Sequence, residues 1–172
     1  YEIIEYVCGK NLRELIDMEP AFVKKHLMDI LKRIADAVCY LHDSHILHLD
    51  IKPENVLINN RSSEKTLKVK LTDFDLSMKL SGGHKHLKAG SAYYMAPEQL
   101  KKGTVGYETD IFAFGVTAYH CVTGRLPFSG FSPVEIRQQQ LSTRHEIKPP
   151  AAYNPEISAK LDSIIMSCID KD

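Results

Sequence analysis

A long stripe of apolar side chains in the first third of the chain constrains the fold more than any other feature. Pro20 suits the first position of a helix. The apolar residues that recur after it at helical spacing are Leu27, Ile30, Leu31, Ile34, Val38 and Leu41. This spacing predicts an amphipathic helix of about 24 residues, ~36 Å long, that ends near His42. A second helix, predicted over residues 108–122 and ended by Gly124, is apolar nearly all round and is expected to lie buried at the centre.

Shorter elements are predicted around these two helices. Alternating apolar residues favour strands near residues 46–58 and 67–72, and turn residues favour loops at 103–106 and 128–133. The other predictions are a strand end at 1–7, a turn at 8–11, a short helix at 12–16, a short exposed helix at 134–140 and an amphipathic helix at 157–169. The chain is therefore predicted to be mainly α with short β strands, a helical bundle around a central buried helix.

Residues 48–55 carry the side chains that phosphoryl transfer requires. An attacking alcohol needs a carboxylate to orient it and to accept its proton, which suits Asp50. Lys52 would supply positive charge to the phosphoryl oxygens. Asn55 offers a neutral oxygen ligand to Mg²⁺, a hard cation that prefers oxygen. A second metal ligand is expected downstream, and the strand predicted there delivers Asp73 at its end.

Further motifs follow this segment in a fixed order. Phe74 comes directly after Asp73, then Ala-Pro-Glu at 96–98 and Asp-Ile-Phe-Ala-Phe-Gly at 110–115. In this order the motifs resemble the C-terminal lobe of the eukaryotic-type (Hanks-type) protein kinases, over the whole of residues 1–172. The boundaries that the resemblance implies are a hinge at 1–11, a catalytic loop at 46–58, an activation segment at 73–98 and a helical remainder at 99–172.

The resemblance also implies a role for each candidate catalytic residue. Asp50 is the implied catalytic base, and Lys52 is the lysine that contacts the transferred phosphate. Asn55 and Asp73 are the implied ligands of Mg²⁺, and Asp110 would anchor the backbone of the catalytic loop. The implied cofactors are ATP and Mg²⁺, and the implied partner is a protein substrate.

Three further residues are implied to bind the nucleotide base. The backbone of Glu5 and Val7 in the hinge would hydrogen-bond to adenine, and Leu57 would form the apolar floor beneath it. An ordinary strand and turn is the alternative reading of the hinge segment. Lys52 and the two metal ligands complete the cofactor-binding set.

The residues around the catalytic loop also indicate a substrate class. Lys52, two positions after Asp50, and Gly-Ser at 90–91 resemble the serine/threonine group of kinases. The implied function is transfer of the γ-phosphoryl group of ATP to Ser or Thr hydroxyls of proteins. Residues 148–157, together with 161–162 and 168–172, look most like bacterial Hanks-type kinases.

The sequence departs from the family pattern at four points. A glycine-rich phosphate loop and a strand lysine do not occur, so the N-terminal lobe is expected to be missing and to be needed for full activity. Leu49 stands where many kinases carry an arginine that binds a phosphate, so phosphorylation of the activation segment, for which Ser81 is the expected acceptor, is not expected to be the main switch. Asp75 occupies the place of a glycine that visits positive φ. The usual partner of Glu98 is expected beyond Asp172.

Composition restricts the partners further. The 22 basic and 22 acidic residues give a formal net charge of zero, so neither nucleic acid nor an anionic membrane is expected as a partner. No apolar run approaches the ~20 residues of a membrane helix. The four cysteines, Cys8, Cys39, Cys121 and Cys168, are widely spaced, and three are expected in apolar helical surroundings. They predict free thiols in an intracellular, cytoplasmic protein.

Two other functions stay open. The first is a protein-binding module, a pseudokinase or truncated lobe that docks partners through its substrate groove and the helix at 134–140. Leu49, Asp75 and the missing lobe favour it. The second is a small-molecule phosphotransferase related to aminoglycoside or choline kinases, which would lack the motif at 96–98. The histidines at 42, 45, 48, 84 and 86 are not expected to bind zinc. His48 is expected to pack structurally, and His84 and His86 are expected to lie in a Gly-rich, mobile segment.

Overall fold

The computed structural model of the chain describes residues 8–59, 67–80, 85–86 and 91–171. Within these ranges the chain is mainly helical, and its strands form three small sheets, so the prediction of a mainly α fold with short strands is confirmed. In chain order the elements are β1 (Lys10–Asn11), α1 (Leu12–Met18), α2 (Pro20–Asp43), β2 (Ile46–Leu47), β3 (Val56–Asn59), β4 (Lys68–Leu71), β5 (Met78–Lys79), β6 (Lys85–His86), α3 (Pro97–Lys102), β7 (Thr104–Val105), α4 (Tyr107–Thr123), α5 (Pro133–Leu141) and α6 (Ala159–Cys168). Short 3₁₀ turns occur at Pro53–Asn55 and Pro150–Ala152.

Helix α2 forms where the apolar stripe predicts it. It begins at Pro20, runs for 24 residues and ends at Asp43. Its buried side chains are Val23, Leu27, Ile30, Leu31, Ile34 and Val38. The buried stripe faces the core, and the end of the helix directs the chain into the predicted catalytic loop at 46–58.

Helix α4 is the central helix that the sequence predicts. Eleven of its residues are buried, and it packs against both α2 and α6. It ends at Gly124, which adopts a φ of 66° in the left-handed region that glycine favours. Gly115 lets α6 approach closely, because a Cβ there would lie 2.6 Å from the Cβ of Cys168.

The predicted catalytic loop is joined to a three-stranded antiparallel sheet of order β1–β3–β4. The prediction of a turn over residues 8–11 is wrong for Lys10 and Asn11, which pair with Ile58 and Leu57. A two-residue strand leaves no periodic signal, and its pairing depends on a partner more than 40 positions away. Asn11 also caps α1, since its side chain accepts from the backbone N–H of Glu14 at 2.8 Å.

Two further strand pairs fasten the segment after Asp73 to the rest of the molecule. β2 pairs with β5, with Leu47 opposite Met78, and β6 pairs with β7. The prediction of a loop over residues 103–106 is therefore wrong at β7, although Gly103 adopts a positive φ of 67°. These pairs hold parts of the expected activation segment against the helical body.

The remaining helices follow the sequence only in outline. α5 and α6 form where helices are expected, but α5 is not fully exposed, since Ile136 and Gln140 are buried. α3, which begins at Pro97, has no counterpart among the predictions because six residues are too few for a periodic pattern. Lys171 fastens the far end of α5, and its ammonium donates to three backbone carbonyls at 2.8–3.1 Å.

The cysteines are all free thiols, as the sequence predicts. Cys121 and Cys168 are partly covered, whereas Cys39 lies exposed on α2, so its expected apolar surroundings are wrong. Burial raises the pKa of the Cys121 thiol to about 12, which keeps it protonated at neutral pH. Among the helices in the described ranges, none has the length and apolarity that crossing a bilayer requires.

Candidate active site

The β3–β4 hairpin brings the two predicted metal ligands to the same end of a sheet. Val56 pairs with Leu71, so the residues just outside the pair, Asn55 and Thr72, lie opposite each other. The backbone N–H of Thr72 donates to the carbonyl of Asn55 at 2.9 Å. Asp73 follows directly and turns away from the strand with a φ of 62°. Two predicted ligands that are 18 positions apart in sequence therefore lie at the same end of one hairpin.

Asp110 at the start of α4 holds the catalytic loop by its backbone. Its carboxylate is fully buried and accepts from the N–H of His48 at 2.9 Å and from the N–H of Leu49 at 2.8 Å. His42 of α2 lies 2.9 Å from the same carboxylate. These bonds stabilise Leu49 at a φ of 66°, a conformation that costs free energy for a branched side chain. Asp110 therefore fixes the position from which Asp50 projects.

The three histidines before Asp50 have separate partners. His42 contacts Asp110, and the Nδ1 of His45 lies 2.9 Å from the hydroxyl of Tyr107. His48 is fully buried, with its Nε2 3.1 Å from the carbonyl oxygen of Thr72. Burial lowers the pKa of His48 despite the opposing effect of Asp110, which favours a neutral ring that tethers the loop to β4. These contacts place the histidines in structural roles.

The Asp50 carboxylate is the centre of a polar network. Its Oδ2 accepts from the Lys52 ammonium at 2.6 Å and from the Asn55 amide at 2.9 Å. Its Oδ1 accepts from the Ser91 hydroxyl at 3.1 Å, and Lys52 also donates to the Ser91 oxygen at 2.8 Å. Three predicted catalytic residues therefore meet in direct contact, joined by Ser91.

The two oxygens of Asp50 differ in what they have left to accept. Oδ2 already accepts two hydrogen bonds, one from the charged ammonium of Lys52 and one from the Asn55 amide. Oδ1 accepts only one, from the Ser91 hydroxyl. A carboxylate oxygen has two lone pairs, so Oδ1 is the atom that can accept a further hydroxyl proton. Lys52 beside it would balance charge that develops on a transferred phosphoryl group.

Ser91 is the site residue whose contacts the sequence did not reveal. The Gly-Ser pair at 90–91 served only as a sign of substrate class, because 39 positions separate Ser91 from Lys52. The structure places its hydroxyl between Lys52 and Asp50. The sequence signal that could have identified Ser91 as a site residue was its position, as a short polar residue at a fixed distance before the motif at 96–98.

The oxygen donors of Asn55 and Asp73 fit a hard divalent cation. The amide nitrogen of Asn55 donates to the carbonyl and to the carboxylate of Asp50, both at 2.9 Å, which leaves its Oδ1 as the ligand atom. The Asp73 side chain is exposed, and its backbone follows Thr72, which is hydrogen-bonded to Asn55. Within the described residues no group of three or more His, Cys, Asp or Glu side chains could hold a metal. Two protein oxygens suit Mg²⁺ shared with nucleotide phosphates.

Leu49 lies in an apolar cluster where the family pattern places a cation. Its side chain is 5% exposed and packs with Leu47 and Val105, and the partly buried members of the cluster are Leu76, Met78, Leu80 and Tyr107. The cluster joins the catalytic loop to β5 and β7. Asp75, which stands in the place of a family glycine, does not adopt a positive φ, whereas Asp73 has a φ of 62°. Glu98 accepts a hydrogen bond from the Thr109 hydroxyl at 2.8 Å.

The residues predicted to bind the nucleotide base fall partly outside the described ranges. Glu5 and Val7 lie there, as do Ser81 and His84. Leu57 is in β3, between Asn11 and Lys70, and its side chain is half-buried while Val56 and Ile58 on either side are buried. Leu57 therefore projects from the opposite face of the strand, away from the core.

Helical fold and polar network together fit the class of phosphotransferases that use a carboxylate and an oxygen-liganded metal. The model of the protein kinase domain family matches residues 1–172. The chain is 33% identical over 175 residues to the serine/threonine-protein kinase PrkC of Bacillus subtilis, a match that covers 100% of this chain and 26% of that relative. It is 29% identical over 177 residues to the serine/threonine-protein kinase PknB of Mycobacterium tuberculosis, covering 100% of this chain and 27% of the relative.

The chain therefore belongs to the protein kinase domain family, and the prediction of a Hanks-type kinase is confirmed. A probable serine/threonine-protein kinase of Clostridium perfringens is also 33% identical over 175 residues, which are 100% of this chain and 24% of that relative. The chain thus spans about a quarter of the length of these curated relatives.

Proposed function

We propose that this chain carries the catalytic loop of a serine/threonine protein kinase, which transfers the γ-phosphoryl group of ATP to hydroxyls of protein substrates. The observation that carries this proposal is the direct contact of Asp50 with Lys52, Asn55 and Ser91. The relatives named as serine/threonine kinases support the substrate class. We also propose that the protein acts inside the cell, as its free thiols suggest.

Residues 1–172 correspond, in this proposal, to the C-terminal lobe of the kinase domain. The hinge is at 1–11, the catalytic loop at 46–58, the activation segment at 73–98 and the helical remainder at 99–172. Glu5 and Val7 would bind adenine through their backbone, above Leu57. Full activity would also require an N-terminal lobe to hold the remaining phosphates.

The steps assigned to the chain follow from its atoms. Asp50 Oδ1 orients the acceptor hydroxyl and takes its proton as the new P–O bond forms and the bond to the leaving diphosphate breaks. Lys52 offsets negative charge on the phosphoryl oxygens. Asn55 Oδ1 and the Asp73 carboxylate would hold Mg²⁺, which supplies charge neutralisation to the phosphates when bound. Ser91 keeps Asp50 and Lys52 at a fixed separation.

A protein-binding module without catalysis is the second candidate. The exposed apolar side chains of Phe131 and Val134, at the start of α5, favour it. A small-molecule phosphotransferase is less well supported, because the motif at 96–98 is present and begins α3.

A phosphate-transfer assay on the complete gene product tests the proposal. With Mg²⁺, γ-labelled ATP and a generic Ser/Thr protein substrate, we expect label on serine or threonine, and its loss when the metal is chelated. A folded complete protein that binds ATP but transfers no phosphate would instead favour the binding module.

Activity should not depend on a phosphate in the activation segment. Leu49 and its apolar neighbours pack where a phosphate-binding cation would stand, so the Leu49 position itself offers no charge to a phosphate. Ser81→Ala and phosphatase treatment of the complete protein should each change the rate of phosphate transfer by less than about tenfold, since a single new charge pair contributes roughly 1 kcal/mol. A larger loss in either experiment would contradict this prediction.

A further inference from the structure

The ammonium of Lys171 lies in a cage of three backbone carbonyls at the end of α5. It donates to the carbonyl oxygens of Gln139, Ser142 and His145 at 3.0, 2.8 and 3.1 Å, respectively. An ammonium has three N–H donors, so this carbonyl cage can use all of them. The ring of Phe128 faces the same charge, with its centroid 5.3 Å from Nζ. The position of the ammonium is therefore fixed from several directions.

The end of α5 requires a cation that the helix itself does not supply. The last carbonyls of a helix have no partner within it, and the helix dipole places partial negative charge there. The last turn of α5 contains no basic residue. Lys171 comes from 26–32 positions further along the chain and supplies both donors and charge. A compact ammonium suits the carbonyl cage better than a guanidinium, whose N–H groups all point outward in one plane.

The carbonyl cage also connects α5 to the centre of the molecule. Phe128 is fully buried, and its ring stacks with that of Phe112 on α4 at a centroid distance of 6.0 Å. Desolvation lowers the pKa of Lys171, because the ammonium has exchanged part of its water for the carbonyl oxygens. The end of α5 is thus fastened to the central helix through Lys171 and Phe128.

The other contacts of α5 hold it at only a few points. Of its nine residues, Ile136 and Gln140 are buried. Arg137 donates to the carbonyl of Leu100 at 2.9 Å, and the Gln140 amide donates to the carbonyl of Ala92 at 2.9 Å. A helix with one buried apolar side chain is held weakly by the core, because tertiary packing supplies most helical stability. The direction of α5 therefore depends strongly on the polar contacts at its end.

α5 lies beside the residues that lead to Asp50. Ala92, which accepts from Gln140, directly follows Ser91, and the Ser91 hydroxyl donates to Asp50 at 3.1 Å. Val134 is six positions before Gln140, or ~9 Å away along the helix, and it is 65% exposed. The exposed start of α5 is therefore rigidly connected to the end that lies next to the proposed active site.

The turn before α5 presents a second exposed apolar side chain. Phe131 is fully exposed, and its backbone N–H donates to the Glu135 carboxylate at 3.1 Å. The hydroxyl of Ser132 accepts from the backbone N–H of Glu135 at 3.2 Å. These bonds join the turn to the first turn of the helix, so Phe131 moves together with α5.

We propose that Lys171 is a positioning residue for the binding of folded protein substrates, because the carbonyl cage sets the direction in which α5 presents Phe131 and Val134. A five-residue peptide extends only about 7 Å on either side of its central residue, so it would bind at Asp50 without contacting the start of α5. The inference rests on the proposed kinase function. It adds to that function a residue that contacts neither substrate nor nucleotide.

Four substitutions separate positioning from general stability. Lys171→Met removes the charge and the three donors but keeps a long unbranched side chain. Lys171→Arg keeps the charge with planar donors, so it should restore only part of the contact. Phe131→Ala removes the exposed contact at the other end of α5. Lys160→Met, at an exposed lysine on α6, is the matched control.

Steady-state kinetics of the complete protein test the proposal with two probes. One is a folded protein that the wild type phosphorylates, and the other is a five-residue peptide copied from its phosphorylated site. We expect Lys171→Met to raise the KM for the folded protein about 5-fold or more, because hydrogen bonds from a charged donor are lost. The KM for the peptide and the KM for ATP should each change less than about 2-fold. Lys171→Arg should lie between Lys171→Met and the wild type, which Lys160→Met should match.

Phe131→Ala should raise the same KM, because the folded substrate loses its contact with α5. The double variant with Lys171→Met should lose less than the product of the two single effects, since both act on one contact. Hydrogen exchange reports on the helix directly. Peptides from residues 133–141 should exchange at least about 10-fold faster in Lys171→Met, and peptides from residues 20–43 should not change.

The outcomes separate this inference from the proposed function. An inactive wild-type protein would overturn both. An active wild type in which Lys171→Met leaves the KM for the folded protein unchanged, or raises the KM for both probes equally, would overturn only the role of Lys171. Unchanged exchange of residues 133–141, or no effect of Phe131→Ala, would do the same. If Lys171→Met does not fold, Lys171→Arg decides, and an unchanged KM for the folded protein then overturns the role.

Discussion

Replacing Asp50 by Asn should reduce kcat for phosphate transfer by about 10²–10⁴-fold, the usual range for removal of a general base. The amide can take the place of the carboxylate without disrupting the network. Its oxygen can accept from Lys52 and Asn55 as Oδ2 does, and its nitrogen can face the Ser91 oxygen. What it cannot do is accept a proton from the substrate hydroxyl.

The loss should therefore be confined to catalysis. ATP affinity, measured by titration calorimetry on the complete protein, should change less than about threefold, because Asp50 does not contact the nucleotide in the proposed mechanism. Asp36→Asn, an exposed carboxylate on α2, is the matched control and should retain full activity. Retention of more than about a tenth of kcat in Asp50→Asn would exclude Asp50 as the base.

Replacing Asp110 by Asn should destabilise the catalytic loop by about 3–5 kcal/mol, as expected when one member of a buried charged network is removed. The substitution turns one carboxylate oxygen into an NH₂ group. In one orientation of the amide this group faces the N–H of Leu49, and in the other it faces the N–H of His48 and the ring of His42. A hydrogen bond is lost, and two donors are left facing each other. The left-handed backbone at Leu49 then has less to hold it.

Amide hydrogen exchange with mass spectrometry can follow this change within the complete protein. Peptides that contain residues 46–52 should exchange at least about 100-fold faster in Asp110→Asn, since 1.4 kcal/mol corresponds to a factor of ten. Peptides from α2 remote from the loop should change less, and Asp36→Asn should match the wild type. Unchanged protection of residues 46–52 would show that the loop does not depend on Asp110.

The long elements could be predicted because their signal is local and repeated. α2 has an apolar residue on every turn, and α4 is apolar on nearly every face, so both were predicted within one residue of their observed bounds. The left-handed end at Gly124 has an equally local cause. Tertiary packing agrees with local preference in these helices.

Elements defined by distant partners could not be predicted in this way. β1 and β7 have two residues each, and they exist only because β3 and β6 lie beside them. α3 forms after Pro97 with too few residues for a pattern. Cys39 is exposed although apolar residues flank it, because the helix turns its position outward.

The residues of the candidate site also divide into those with a local sequence signal and those that depend on distant partners. Asp50, Lys52 and Asn55 were found because they are adjacent in the sequence, and their contacts agree with the roles that the family resemblance implies. Their placement beside Asp73 follows from the register of one hairpin. Ser91 reaches the site only through folding, 39 positions from Lys52, and a single residue at that distance leaves no sequence pattern.

The most direct test of the central claim is a crystal structure of the complete protein with Mg²⁺ and a non-hydrolysable ATP analogue. We expect Asn55 Oδ1 and a carboxylate oxygen of Asp73 within about 2.0–2.1 Å of a metal ion that also binds phosphate oxygens. Asp50 should face the terminal phosphate. A metal ion and triphosphate held elsewhere, with Asp50 and Asp73 away from both, would contradict the assignment.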